Sequence, residues 1–131
     1  MITGISHITF VVKNLSRTAD FLERIFDAKE VYSSQTAKYF LINDLWIALN
    51  KGEGLAAKTY NHIAFQISPD DMEKYIERIK CVGAEIQQSR PRDADEGHSI
   101  YFYDFDNHLF ELHTGTLPER LAYYSQGEPA Q

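Results

Sequence analysis

The histidines at positions 7 and 62 stand in one shared frame. His7 lies in "ISHITF", residues 5–10, and His62 in "YNHIAF", residues 60–65; both segments read His-Ile-x-Phe, fifty-five residues apart. An acid joins them late in the chain, Glu111 of "NHLFELH", residues 107–113. Strand alternation puts Leu109, Glu111 and His113 on one face and Phe110 and Leu112 on the other. A carboxylate among large apolar side chains needs a partner if it is buried, and a metal ion would supply one. Two imidazoles and a carboxylate form a mixed nitrogen and oxygen donor set that suits Mn²⁺, Fe²⁺, Co²⁺, Ni²⁺ or Zn²⁺. One inward-pointing residue from each of three strands can meet at a point, although spacing alone does not prove that they do. Singly, a strand histidine is more often a packed or surface residue than a ligand; recurrence in equivalent segments is harder to dismiss.

The elements that must position these residues repeat as well. Gly4 to Val12 alternates and is rich in β-branched residues, the pattern of a half-buried strand. From Ser16, read as an N-cap, Leu22, Ile25, Phe26 and Ala28 fall near helical spacing. Glu30 to Tyr32, Lys38 to Ile42 and Leu45 to Leu49 read as strands, the last two joined by the turn pair Asn43 and Asp44. The second half repeats this order. His62 to Ile67 is a strand, Ser68-Pro69-Asp70-Asp71 opens a helix, and Met72, Tyr75, Ile76 and Ile79 form its buried stripe before Gly83. Ala84 to Gln87, Ser99 to Tyr103 and His108 to His113 complete the strands. Ser89 to Gly97 is a polar loop with Arg90, Arg92 and three acids, of the kind that carries function. The reading is α+β, two βαβββ units at about 4–51 and 60–115, then a terminal helix at about 116–124 and a loose tail, in one domain spanning 1–131.

Composition limits the partners. A chain of 131 residues can bury a core without staples, and no stretch approaches the roughly 20 apolar residues of a membrane span. Net charge is −6 and the basic residues form no run, which argues against nucleic acid or an acidic membrane as partner. The chain opens straight into a patterned segment without a signal-peptide pattern, and its one cysteine, Cys81, suits a reducing compartment. Both point to the cytoplasm, with Cys81 expected to be buried.

Two βαβββ units of this length resemble the vicinal oxygen chelate superfamily of glyoxalase I, extradiol dioxygenases, bleomycin-binding proteins and fosfomycin resistance enzymes. "GISHITF", "YNHIAF", "SIYFYDFDNHLFELHTGTL" and the terminal "ERL" narrow the resemblance to the last group, over nearly the whole chain. It implies that His7, His62 and Glu111 converge on one divalent metal, most readily Mn²⁺ though Mg²⁺ would also fit. The place matching Glu111 in the first unit, "LWIALN", offers Trp46, Ile47 and Ala48, none of them a ligand, which leaves coordination positions open for catalysis. The resemblance further implies that a small epoxide phosphonate binds and that its ring is opened, the metal polarising the epoxide oxygen. Tyr101 and Arg120 match family phosphonate contacts, with Ser99, Arg90 and Arg92 near them in sequence. A guanidinium suits a phosphonate because its planar fork donates two parallel hydrogen bonds. Thr9 matches a hydroxyl placed beside the epoxide oxygen; Trp46 and Tyr39 match aromatic positions of the same pocket, Tyr39 near the thiol. His108 and His113 are read as structural before outer donors.

The body of the chain looks closest to the subgroup that uses water. However, "VYSSQTAKYFLIN", residues 31–43, is short and carries no acid where those hydrolases place a general base. Water needs such a base, whereas a thiol is partly ionised near neutrality. The expectation is therefore addition of glutathione or another small thiol ahead of hydrolysis, with Asp44 and Glu53 as substitute bases. Asp93, Asp95, Glu96 and His98 depart from the more basic or smaller loop of many relatives, where K⁺ would bind. The family pairs units between chains, which implies a domain-swapped homodimer with two shared sites. A metal-free drug-binding module and another chelate-fold enzyme, an isomerase or dioxygenase, are the rival readings.

Overall fold

The computed structural model describes residues 1–87 and 98–125. Its elements run β1 (His7–Val12), α1 (Leu15–Phe26), β2 (Lys29–Ser33), β3 (Ala37–Ile42), β4 (Leu45–Lys51), β5 (His62–Gln66), a 3₁₀ turn (Pro69–Asp71), α2 (Met72–Val82), β6 (Glu85–Gln87), β7 (Ser99–Tyr103), β8 (Leu109–His113) and α3 (Leu117–Tyr124). The strands form two sheets of four, ordered β1-β4-β3-β2 and β5-β8-β7-β6. In each, the first strand of the unit lies parallel to the last and at the sheet edge.

Alternation along these strands divides each sheet into a core face and an outer face. On the core side, Phe10, Phe40, Ile47 and Leu49 of the first sheet and Ile100, Phe102, Phe110 and Leu112 of the second pack with α1 into one hydrophobic core. Helix α1 joins the two halves. Its Phe21 ring lies 5.9 Å from Phe102 and 5.4 Å from Phe110. Both pairs take the tilted geometry that aromatic quadrupoles favour. Phe21, Phe102 and Phe110 are nearly fully buried, and each contributes on the order of 2–3 kcal/mol by leaving water. Arg78 of α2 ties the helices by donating to Ile25 O at 3.1 Å and to Asp27 at 2.9 Å.

Several local expectations are corrected. The cap of α1 is Asn14, whose side chain accepts from Arg17 N, so Ser16 sits inside the helix. Both residues can cap; Asn14 does so because it is the last extended residue, at φ −129° and ψ 102°, before the helix begins at Leu15. Ser68 caps the 3₁₀ turn, and α2 begins only at Met72. The first strand starts at His7, where its pairing with Trp46 of β4 begins. Cys81 is exposed. The loop with Arg90 and Arg92, its acids, and the tail beyond Ser125 lie outside the described residues.

The turn between β7 and β8 anchors the linker between the units. Asp104 Oδ1 accepts from the backbone of Asp106 and His108, while Asp106 Oδ1 accepts from Lys13 N at 3.1 Å. Leu55 N donates to Asp106 O, and Asn107 donates to Leu55 O at 2.8 Å. Gly54 packs so closely that a Cβ there would run into the Asp106 side chain. Gly54→Ala is expected to lower stability by about 1–3 kcal/mol, the usual cost of overpacking, read as a shift of the urea midpoint.

Candidate metal centre

The outer faces of the two sheets carry the candidate residues in matching rows. On the second sheet, cross-strand register places Ala64 beside Glu111 and Glu111 beside Tyr101, with His62 and His113 one step either way along the same face. On the first sheet the equivalent row is Thr9, Ala48 and Tyr39, with His7 beside Trp46. Ala48 thus occupies the position of Glu111.

His62 and Glu111 meet. Glu111 is 6% exposed, and its Oε1 lies 2.8 Å from His62 Nε2. The other ring nitrogen, Nδ1, lies 2.7 Å from Tyr60 O. A carbonyl can only accept, so His62 Nδ1 carries hydrogen and Nε2 of the neutral ring presents its lone pair to the carboxylate. Two acceptors at that distance need a positive charge between them, a proton or a cation. Backbone capture of one imidazole nitrogen with the other left for metal is the usual way a ligating histidine is oriented. Donors about 2.1 Å from one ion lie roughly 3.0–3.4 Å apart, so a small opening of this pair admits a divalent cation. The donor set therefore fits the metal that the sequence implied.

Around the pair, Tyr101 is 5% exposed and stands edge-on to the His62 ring, with 5.4 Å between centroids. Its hydroxyl lies 3.1 Å from that of Tyr60. Tyr60 was missed in the sequence, which gives no signal for it beyond its place two residues before His62. Ser99 bonds to Glu111 and to His113 rather than pointing away from them. Arg120 sits in the first turn of α3, which is set by a capping box between Thr116 and Glu119 and by Arg120 N donating to Thr116 O at 3.0 Å. It lines a cavity of about 250 Å³ together with Glu111, His113 and Thr116.

His7 lies elsewhere in the same chain. It is exposed on β1, its ring stacked at 4.0 Å on Trp46 and its Nδ1 2.9 Å from Ser6 Oγ. Tyr39 packs against Trp46 at 5.2 Å, and Thr9 is exposed on the same face as His7. Trp46 Nε1 is buried with no acceptor among the described residues. Among those residues, one chain gathers no group of three His, Cys, Asp or Glu able to hold a metal by itself. His108 is not at the pair: it bonds Asp104 at 2.7 Å and meets Phe10 edge-on, tying β8 to β1. Asp44 sits in the β3–β4 turn, and Glu53 in the linker lines a cavity of about 550 Å³ with Thr9, His62 and His108. No helix among the described residues is long and apolar enough to cross a membrane.

Comparison with known proteins finds relatives along nearly the whole chain. The fosfomycin resistance protein FosX of Listeria innocua is 57% identical over 131 residues, covering 95% of this chain and 98% of its own. Metallothiol transferase FosB of Staphylococcus haemolyticus is 39% identical over 133 residues, covering 98% and 96%. A crystal structure of a FosX point mutant from Listeria monocytogenes, complexed with Mn(II) and 1S,2S-dihydroxypropylphosphonic acid, superposes with TM-score 0.90 at 57% identity, over 95% of this chain and 99% of that one. The family model of the Glyoxalase/Bleomycin resistance protein/Dioxygenase superfamily matches residues 4–112, and the chain belongs to that superfamily, with its two-unit vicinal oxygen chelate fold.

Proposed function

We propose that the chain is a cytoplasmic, divalent-metal-dependent enzyme that inactivates fosfomycin by opening its epoxide, with Mn²⁺ as the metal and a small thiol as the nucleophile. The observation that carries this is the buried Glu111 carboxylate facing a His62 nitrogen whose tautomer is set by Tyr60, beside Tyr101 and Arg120. FosX and FosB, named for fosfomycin resistance and metallothiol transfer, support it by their similarity along the chain. His62 and Glu111 would hold the metal with His7 from a second copy, because His7 lies on the other sheet. The working unit is then a homodimer with two shared sites.

When bound, the metal supplies Lewis-acid polarisation of the epoxide oxygen. Arg120 and Tyr101 bind and orient the phosphonate by charge-assisted hydrogen bonds. Thr9, facing them from the partner's first sheet, donates a hydrogen bond to the oxygen released as the ring opens. In the thiol reaction a sulfur–carbon bond forms as the carbon–oxygen bond breaks, and the thiol proton ends on the oxygen. Tyr39 lies at the side from which the thiol enters. Thr9→Val is expected to slow ring opening about 10- to 100-fold with Mn²⁺ still bound, since one hydrogen bond to a developing anion is worth a few kcal/mol. Unchanged single-turnover kinetics would reduce Thr9 to a strand filler.

Thiol addition is favoured because the β2–β3 connection is only residues 34–36, closed by Ser34 N donating to Ala37 O at 2.8 Å. The outer row of the first sheet, His7, Thr9, Tyr39, Trp46 and Ala48, holds no carboxylate to activate water. Hydrolysis is the second reading, favoured by 57% identity to the FosX whose mutant crystal structure holds 1S,2S-dihydroxypropylphosphonic acid, a diol of the kind that water addition gives, against 39% to FosB. The test is ³¹P NMR of fosfomycin with the protein and Mn²⁺, without thiol and with glutathione, L-cysteine or bacillithiol. A new resonance only with thiol establishes the transferase. A diol phosphonate signal without thiol establishes the hydrolase. Unchanged fosfomycin in every tube overturns the proposal and turns attention to a drug-binding module or another chelate-fold reaction.

A further inference from the structure

The two oxygens of Glu111 have different neighbours. Oε1 faces His62; Oε2 lies 2.5 Å from Ser99 Oγ, and that oxygen lies 2.7 Å from His113 Nδ1. The same His113 nitrogen is 3.3 Å from Oε2. A serine hydroxyl has one hydrogen, and an ionised carboxylate only accepts. The Ser99 hydrogen therefore goes to Glu111, and Ser99 Oγ accepts in turn from His113, whose Nδ1 must carry hydrogen. The chain of donors runs in one direction, His113 to Ser99 to Glu111.

We propose that Ser99 and His113 are positioning residues for Glu111, holding Oε2 so that Oε1 alone is presented to the metal beside His62. This rests on the metal-site reading above and deepens it. The sheet builds the relay: Ser99 and His113 are directly opposed across β7 and β8, with Glu111 two residues before His113 on the same face. The strands are clamped next to it by Thr114 N donating to His98 O at 3.0 Å and His98 N donating to Thr114 Oγ1 at 2.8 Å. Glu111 and Ser99 are buried or half-buried, so an unheld Oε2 has little water to turn to. The assignment changes the part read for Ser99 in the sequence. With its one hydrogen committed to Glu111, its hydroxyl has none left to donate to a phosphonate.

The test is titration of Mn²⁺ into the purified full-length protein, followed by the EPR signal of free Mn²⁺, with neither fosfomycin nor thiol present. Ser99→Ala and His113→Phe are each expected to weaken Mn²⁺ binding about 10- to 100-fold, the usual effect of losing a partner that orients a ligand. Ser99→Thr keeps the hydroxyl, and His113→Asn keeps an N–H near the same point; both should stay within a few-fold of wild type. The double variant Ser99→Ala/His113→Phe should bind no worse than the weaker single one, because members of one relay are not additive. Losses that add, or full Mn²⁺ affinity in His113→Phe, overturn the relay. Full Mn²⁺ affinity in Ser99→Ala with only a raised KM for fosfomycin would return Ser99 to the phosphonate. A wild-type protein that takes up no Mn²⁺ would overturn the metal site itself, a failure distinct from these. Should Ser99→Ala fail to fold, the two His113 variants still decide the matter.

Discussion

Glu111→Gln is expected to lose Mn²⁺ binding and, with it, turnover of fosfomycin by roughly 10³-fold or more, while the protein stays folded. Glutamine has nearly the same size, so the packing around a residue 6% exposed is kept. What is removed is the charge. The lone pair of His62 Nε2, set by the 2.7 Å bond of Nδ1 to Tyr60 O, then faces a neutral amide. Such an amide is a poor ligand for a divalent transition metal. Lewis-acid stabilisation by a bound metal is worth several kcal/mol, and each 1.36 kcal/mol is about tenfold in rate, which sets the size of the loss. Mn²⁺ titration and ³¹P NMR on one preparation check both parts, with circular dichroism confirming the fold. Undiminished Mn²⁺ affinity would remove Glu111 from the proposed site.

Arg120→Ala is expected to act differently, weakening fosfomycin binding by something like ~2–5 kcal/mol with Mn²⁺ affinity unchanged. That corresponds to a rise of roughly 30- to several-thousand-fold in apparent dissociation constant. The argument lies in the position of Arg120. The capping box fixes the first turn of α3, and Arg120 in that turn lines a cavity that Glu111 and His113 also line. A dianionic phosphonate placed there needs a cation that does not compete for the metal ligands. Arg120→Lys keeps the charge but not the fork, and should fall between wild type and alanine. An unchanged KM in Arg120→Ala would make the residue part of the helix surface only.

Most of the element order could be read in the sequence because both halves alternate cleanly and both helices carry a single apolar stripe. A strand acid between phenylalanine and leucine showed that Glu111 needs a partner, but only the family resemblance pointed to His62 as one of the residues beside it. Other features were hidden for physical reasons. Asn14 and Ser16 are both competent caps two residues apart, and only the backbone tells which of them stays extended where the helix begins. Cys81 is apolar enough to be placed in the core. It lies two residues beyond the buried Ile79, more than half a turn round the helix, and so points away from the core. The Ser99–His113–Glu111 contacts depend on a cross-strand register that single residues do not encode. Tyr60 acts on His62 through its backbone carbonyl, which any residue could supply.

The smallest side chain in the matched rows has a consequence of its own. Thr9–Ala48–Tyr39 and Ala64–Glu111–Tyr101 stand in the same register on the two sheets. If a carboxylate stood at both central positions, the paired units of the proposed homodimer would offer an ion four ligands. Ala48 interrupts that symmetry with a methyl group. In the proposed site this leaves the ion three protein ligands, His7, His62 and Glu111, and open coordination positions that an outside molecule could take.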